Sequence, residues 1–131
     1  MSETAENVNL PVGTRIDSYV IDKVIGGGGF SIVYLGHVSD SSVQVVIKEY
    51  MPRRIAKRAI DGKTVRTEDE AAMEKFTHGR RLFFQEASIL ATLKHPTIVN
   101  VINFFRANDT VYMVTEFHKG VDLQNYIKRH K

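Results

Sequence analysis

Several common features are missing from this 131-residue sequence. It has no cysteine, which excludes disulfide bonds and thiolate metal sites and is typical of proteins from the cytoplasm, so we expect a cytoplasmic location. No apolar run reaches the length that spans a membrane. The first seven residues are polar and acidic, unlike a signal peptide. The composition, 43% hydrophobic and 25% charged, indicates one globular domain.

A basic surface over the whole domain is also missing. Residues 1–50 hold three Lys/Arg against six Asp/Glu, and residues 67–131 hold nine against eight. The positive charge is concentrated in residues 51–66, with one acid and six basic residues: Arg53, Arg54, Lys57, Arg58, Lys63 and Arg66. Since Tyr50 is the single aromatic residue beside it, we do not expect nucleic-acid binding. Such a run is more typical of a solvated surface, or of docking to an acidic or phosphorylated partner.

The hydrophobic pattern predicts an α+β fold with the element order β-β-β-α-β-β-α. Runs rich in β-branched and aromatic residues, alternating with polar ones in the first, predict five strands, at residues 19–25, 31–37, 43–50, 98–105 and 111–117. Because the connections are short, we expect a five-stranded antiparallel sheet with one main helix packed on it. Residues 1–14 are expected to be a disordered or extended lead.

The main helical region follows a capping-box pattern, Thr67-Glu68-Asp69-Glu70. Apolar residues recur after it at close to helical spacing. Gly79 is expected to separate a short helix at residues 68–77 from a longer one at residues 80–94.

Three smaller elements are predicted from local signals. Residues 53–58 are expected to form a helical turn, and Asp61-Gly62 indicates a hairpin just after it. Asp122 is expected to cap a last helix over residues 123–130.

Four consecutive glycines lie between the first two predicted strands, from Gly26 to Gly29. Glycine lets a backbone approach a ligand closely, and bare N–H groups suit anionic oxygens such as phosphates. A dinucleotide-binding loop needs a helix after it, whereas Ile32-Val33-Tyr34 is typical of a strand, as after a kinase-type loop. A flexible hairpin without a ligand remains open from this stretch alone.

Two charged residues lie in apolar surroundings that give them a joint explanation. Lys48 ends the apolar run Val45-Val46-Ile47, so its stem can follow the sheet while its ammonium group reaches a cleft. Glu86 lies among apolar residues of the main helix, where an unpaired carboxylate is costly. An exposed lysine, and a surface acid paired with Arg80 or Arg81, are the alternatives. A Lys48–Glu86 pair would hold the ammonium group ready for phosphate oxygens.

With these motifs in order, residues 15–131 resemble the N-terminal lobe of the protein kinase family. The quoted residues are Gly26-x-Gly28-x-Phe30-Ser31-x-Val33, Val45-Val46-Ile47-Lys48, Glu86, His95-Pro96-x-Ile98-Val99 and Met113-Val114-Thr115-Glu116-Phe117. The continuation Ile-Lys-Glu-Tyr-Met-Pro is similar to bacterial serine/threonine kinases with a long segment before the helix. The resemblance implies an N-lobe at 15–118 with an insertion at 51–79. It also implies a hinge and the first helix of a second lobe at 119–131.

The resemblance implies ATP as ligand and assigns roles to individual residues. Phosphates would be covered by the backbone of Gly26, Gly27, Gly28, Gly29, Phe30 and Ser31, and the α- and β-phosphates bound by Lys48, itself paired with Glu86. The adenine would lie between Ile25, Val33 and Val46, with Thr115 at the back of the pocket, Glu116 and His118 at the hinge and Asp122 near the ribose. Leu90 and Val101 would belong to a packed spine. Ser31 replaces the usual third glycine and Val46 the usual alanine, which would stiffen the loop and narrow the adenine pocket.

The strings H-R-D and D-F-G, which in this family supply the base and a magnesium ligand, do not occur in the sequence. We therefore expect part of a longer serine/threonine kinase that needs Mg²⁺ only when complete, and no turnover by this chain alone. The alternative is a non-catalytic interaction module that acts through its helix and basic insertion. Self-association is also expected, through apolar residues such as Val33, Leu90 and Phe117.

Overall fold

The structure, a computed structural model, describes residues 8–92 and 100–117, without the side chains of residues 90–92. The described residues form eight strands and one helix: β1 (Arg15–Ile16), β2 (Tyr19–Gly27), β3 (Ser31–Val38), β4 (Gln44–Tyr50), β5 (Ala56–Arg58), β6 (Val65–Thr67), α1 (Glu70–Thr92), β7 (Val101–Ala107) and β8 (Thr110–Glu116). The predicted α+β fold is confirmed. The last predicted helix lies outside the described residues.

The main sheet contains six strands in the order β1-β2-β3-β4-β8-β7, and all neighbouring pairs are antiparallel. The five predicted strands are all present among them. The two-residue β1 was not predicted and adds an edge strand next to β2. No helix among the described residues combines the length and apolar character needed to cross a membrane.

Successive side chains of β4 point to opposite faces of the sheet, as the pleat of a strand requires. Lys48 and Tyr50 point toward α1, where Tyr50 packs against Phe83. Glu49 points the other way and meets Arg58. We call these surfaces the helix face and the back face.

The back face is covered by the N-terminal segment and by the β5–β6 ribbon. Leu10 is buried, and its N–H donates to the Tyr34 hydroxyl at 3.1 Å. The N–H of Gly13 donates to the carbonyl of Ile21 at 2.7 Å. Residues 8–14 are therefore held against the sheet, with a turn closed by a 3.1 Å hydrogen bond from the N–H of Thr14 to the carbonyl of Pro11, while residues 1–7 lie outside the described part of the chain.

The helix α1 is continuous, so the predicted break at Gly79 is wrong. The Tyr50 hydroxyl donates to the carbonyl of Phe76 at 3.1 Å and occupies the space that a Cβ on Gly79 would need. Glycine is therefore used here for close packing of a ring. The helix is capped by Asp69, whose Oδ1 accepts the N–H of Ala72 at 2.8 Å.

The segment between β4 and α1 differs from its prediction in detail. The hairpin is present, but its strands are β5 and β6, which pair Ala56 with Thr67 and Arg58 with Val65. Its connection is therefore residues 59–64. Asp61 organises this loop by accepting the N–H groups of Lys63 and Thr64, both at 2.8 Å.

Candidate functional site: a lysine–glutamate pair beside a glycine hairpin

The predicted pair of Lys48 and Glu86 is present. Strand β4 and helix α1 bring Lys48 Nζ within 3.6 Å of Glu86 Oε1. The lysine side chain is 5% exposed and the glutamate 49%, so the pair lies at the edge of the core with its acid toward solvent. The ammonium group also lies 5.7 Å from the centre of the Phe83 ring, within cation–π range.

The surroundings of Lys48 change its protonation equilibrium. Burial lowers the pKa of Lys48 below its ordinary value, and the Glu86 carboxylate partly opposes that shift. A lysine held in this way is less strongly hydrated than one in water, so it can exchange its few contacts for phosphate oxygens.

The predicted glycine loop is the turn of the β2–β3 hairpin. Gly26 pairs with Val33 and Gly27 with Ile32, and the N–H of Gly28 donates to the carbonyl of Ser31 at 3.0 Å. Gly27 has a φ of 153°, and a Cβ there would lie 2.7 Å from the Ser31 carbonyl oxygen. Glycine is thus required at Gly27 for the two strands to approach this closely.

The tip of this loop is hydrogen-bonded to the segment that follows β4, a contact that the sequence did not predict. The N–H of Met51 donates to the carbonyl of Phe30 at 2.9 Å, and the N–H of Arg53 donates to the carbonyl of Gly29 at 3.1 Å. Phe30 itself is 72% exposed. The backbone of the tip is therefore fixed although its aromatic side chain projects into solvent.

An open cavity of about 310 Å³ lies between the glycine loop and α1. It is lined by Phe30, Ser31, Lys48, Tyr50, Gly79, Leu82, Phe83 and Glu86. The cavity therefore contains both members of the ion pair and two residues of the loop.

The three residues predicted to enclose an adenine are brought together. Val33 and Val46 form a small buried cluster apart from the main core, and Ile25 and Phe117 pack against it. Because Val33 is 1% exposed, it does not contribute to the exposed apolar surface that we expected to drive self-association.

The strand β8 places Thr115 and Glu116 at one end of the sheet. Thr115 is buried and pairs with Val46 on one side and Val101 on the other. The N–H of Glu116 donates to the carbonyl of Asn100 at 3.1 Å. His118, Asp122 and the side chain of Leu90 lie outside the described part of the chain.

A comparison with protein-family models matches residues 19–131 to the model described as protein kinase domain. The chain belongs to the protein kinase family. Its sheet, α1 and glycine hairpin form the N-lobe of that fold, in agreement with the resemblance seen in the sequence.

Two curated relatives and one solved structure show the similarity of this chain to protein kinases. The chain is 26% identical to serine/threonine-protein kinase ATG1a of Arabidopsis thaliana over 88% of its own length and 15% of that protein. It is 31% identical to serine/threonine-protein kinase PLK4 of Aedes aegypti, over 93% of this chain and 13% of the relative. The solved structure of PpkA-294 in its apo form matches with a TM-score of 0.82 and 36% identity, covering 94% of this chain and 43% of that one.

Two further solved structures share the fold at lower identity. The PknI kinase domain of Mycobacterium tuberculosis, as a double mutant, has a TM-score of 0.60 at 19% identity, over 92% of this chain and 40% of that one. The structure of Rad53 residues 1–466 in complex with AMP-PNP has a TM-score of 0.52 at 24% identity. This match covers 86% of this chain and 24% of the Rad53 chain. The chain thus spans less than half the length of each of these three kinase structures.

The kinase lobe also contains a buried polar network on its back face, which sequence reasoning missed. Glu49 and Arg58 are both fully buried, and two hydrogen bonds of 2.7 and 2.9 Å join their side chains. The hydroxyls of Tyr34 and Tyr112 donate to the same carboxylate at 2.7 and 2.5 Å. Arg58 also donates to the carbonyls of Val8 and Lys63.

This network explains the protonation states of its members. Burial alone would lower the pKa of Arg58, but Glu49 outweighs burial and raises that pKa above its usual value. Burial, and then the charge of Glu49, raise the pKa of Tyr34 and of Tyr112. Arg58 is therefore charged and both phenols are neutral.

The interpretation of the basic segment as a solvated surface is wrong for Arg58, because its side chain is fully buried. The other basic side chains of the segment are exposed, namely Arg53, Arg54, Lys57, Lys63 and Arg66, whereas Arg58 is inside. The signal that could have revealed this is the strand period. If Lys48 faces the helix, Glu49 must face the back of the sheet and needs a cation there.

Among the described residues, no three His, Asp or Glu side chains come together as metal ligands.

Proposed function

We propose that this chain is the ATP-binding lobe of a serine/threonine protein kinase that transfers the γ-phosphate of ATP to protein hydroxyls. The observation that carries this function is the Lys48–Glu86 pair, 3.6 Å apart and beside the glycine hairpin in one cavity. The names of the relatives support the choice of serine and threonine, and the AMP-PNP complex of Rad53 supports an ATP-like ligand.

The described residues of the predicted site would have the following roles. The N–H groups of the glycine loop would donate to phosphate oxygens, and Lys48 would bind the α- and β-phosphates while Glu86 holds it in place. The apolar side chains of Ile25, Val33 and Val46 would contact the adenine. This role requires the cluster to open, because Val33 and Val46 are buried.

The remaining roles rest on family position alone. Thr115 would lie at the back of the adenine pocket, Glu116 and His118 would offer main-chain groups to the adenine edge, and Asp122 would contact the ribose. Residues 15–118 would be the N-lobe, with 51–79 as an insertion, and 119–131 would lead into a second lobe. Mg²⁺, when bound in a complete kinase, neutralises phosphate charge. This chain alone would not transfer phosphate.

The deciding experiment compares Lys48→Met with Lys57→Met in the full-length protein. Lys57 is exposed and pairs with Glu68 at 2.9 Å, so its loss removes a lysine away from the cavity. We expect Lys48→Met to abolish labelling of a generic serine/threonine substrate by ATP and to weaken ATP binding by at least about tenfold. Lys57→Met should retain both.

Undiminished phosphate transfer by Lys48→Met would show that this proposal is wrong. If the unmodified full-length protein neither bound ATP nor labelled substrates, the alternative function, a non-catalytic interaction module, would be favoured. The five exposed basic side chains of residues 51–66 would then be the surface to test against acidic partners.

A further inference from the structure

The carbonyl groups at the tip of the glycine loop are already occupied. Gly29 and Phe30 each direct a carbonyl to an N–H of the segment Met51–Arg53, at 3.1 and 2.9 Å. In a trans peptide the N–H and C=O groups point in opposite directions. The donors that follow these carbonyls, on Phe30 and Ser31, therefore point away from this segment.

The N–H groups at the same tip are available. Within the described residues, the N–H groups of Gly29 and Phe30 make no hydrogen bond, although both carbonyls do. An anion repels carbonyl oxygens and attracts N–H groups. A loop whose carbonyls are engaged and whose N–H groups are free is thus prepared for phosphate before any ligand arrives.

The segment Met51–Arg53 is itself firmly held. Met51 is fully buried, and the Pro52 carbonyl accepts the N–H groups of Ile55 and Ala56 at 3.1 and 2.9 Å. Arg58, two residues after Ala56, forms a buried ion pair with Glu49. The loop tip is therefore tied to a rigid part of the molecule.

We propose that Met51–Arg53 is a positioning segment for ATP, which orients the Phe30 amide of the glycine loop toward the phosphates by binding the preceding Gly29 carbonyl with the N–H of Arg53. This inference rests on the proposed function. It assigns to the start of the insertion a role in phosphate recognition that its exposed charges do not reveal.

The test compares Arg53→Pro with Arg53→Ala in the full-length protein. Both variants lose the guanidinium group, but only the proline variant loses the N–H that binds Gly29. Calorimetric titrations with ATP and with adenosine are compared. We expect the proline variant to bind ATP about tenfold more weakly than the alanine variant, with equal adenosine affinity.

Equal ATP affinity of the two variants would overturn the inference and leave the proposed function intact. An equal loss for ATP and adenosine would show general disruption and would also overturn it. If the unmodified protein did not bind ATP, the proposed function would fail and the inference with it.

A second measurement needs no variant. Hydrogen exchange of the unmodified protein, followed by NMR, should show protected amides at Met51 and Arg53. The amide of Arg54 has no hydrogen bond within the described residues and should exchange fast. Rapid exchange at Arg53 would show that the segment is not bound to the loop, and the inference would be wrong.

Discussion

Lys48 and Glu49 are adjacent in sequence but lie in different electrostatic surroundings. Among the described residues Lys48 has one ionic partner, Glu86 at 3.6 Å, and it stands beside an open cavity. Glu49 has three partners on its carboxylate, all within 2.9 Å and all buried. The ammonium group of Lys48 is therefore available to a ligand, whereas the carboxylate of Glu49 is fully occupied by its protein partners.

The substitution Glu86→Gln should change the pH dependence of ATP binding. The pKa of Lys48 is lowered by burial and raised by Glu86, so removing that carboxylate lowers it further. The lysine binds phosphate as a cation, and that cation is lost as pH rises through its pKa. We therefore expect the alkaline decline in ATP affinity to begin at lower pH in the variant, as measured by titrations across alkaline pH.

The control for this prediction is Glu74→Gln, which removes an exposed acid from the same helix. The control should keep the pH profile of the unmodified protein. Identical profiles for Glu86→Gln and the unmodified protein would mean that Glu86 does not affect the charge of Lys48.

At the scale of elements, the packing of β4 against α1 depends on one glycine. The Tyr50 ring lies in the gap left by the missing side chain of Gly79. The same ring packs against the rings of Phe76 and Phe83, at centroid distances of 5.0 and 5.8 Å. This packing fixes the helix that carries Glu86 against the strand that carries Lys48.

Gly79→Ala should therefore destabilise the protein, although alanine favours helices. A Cβ would overlap the Tyr50 hydroxyl, and such overpacking costs roughly 1–3 kcal/mol. The helix propensity of alanine returns at most about 1 kcal/mol. Urea denaturation should show the loss in the free energy of unfolding.

The same substitution in a Tyr50→Phe background gives the matched control. Without the hydroxyl, the overlap is reduced and Gly79→Ala should cost less. If the cost were the same in both backgrounds, the Tyr50 hydroxyl would not be the reason for glycine at this position.

The elements that sequence could predict are those whose signals are local. The alternation of residues 19–24 predicted β2, and runs rich in β-branched and aromatic residues predicted β3, β4, β7 and β8. The mutual need of a lysine and an acid in apolar surroundings predicted the Lys48–Glu86 pair. The glycine hairpin was likewise predicted from its flanking strands.

What sequence missed depends on contacts between distant segments. Gly79 was interpreted as a helix break because nothing nearby shows that Tyr50, 29 positions earlier, packs on it. Arg58 was grouped with exposed cations because its partner lies on another strand. Neither the hydrogen bonds of Met51 and Arg53 to the glycine loop nor β1 has a signal in residue type, since main-chain groups form them.

At the scale of the whole molecule, the sheet is covered on both faces. Helix α1 covers one face, and residues 8–14 with the β5–β6 ribbon cover the other. The Glu49–Arg58 network joins these covering segments to the sheet, because Arg58 belongs to β5 and donates to the carbonyl of Val8. The β5–β6 ribbon is thus joined to the core through Arg58.

Glu49→Gln should consequently destabilise the whole lobe. It leaves the Arg58 charge buried without a counter-charge, which typically costs about 3–5 kcal/mol. The free energy of unfolding, measured in urea, should fall by that order, and ribbon and sheet should unfold together.

The control is Glu68→Gln, which breaks the exposed ion pair with Lys57 and should cost no more than about 1 kcal/mol. Similar losses for the two variants would contradict a structural role for the buried pair.

The alternation of Lys48 and Glu49 gives β4 the equivalent of a reading frame. A deletion of one residue within Gln44–Ile47 would act as a frameshift, because every later side chain of the strand would change face. Glu49 would then stand opposite Glu86, acid against acid, and Arg58 would lose its carboxylate. Length variation among related lobes should therefore occur in the turn at residues 39–43 and not in this strand.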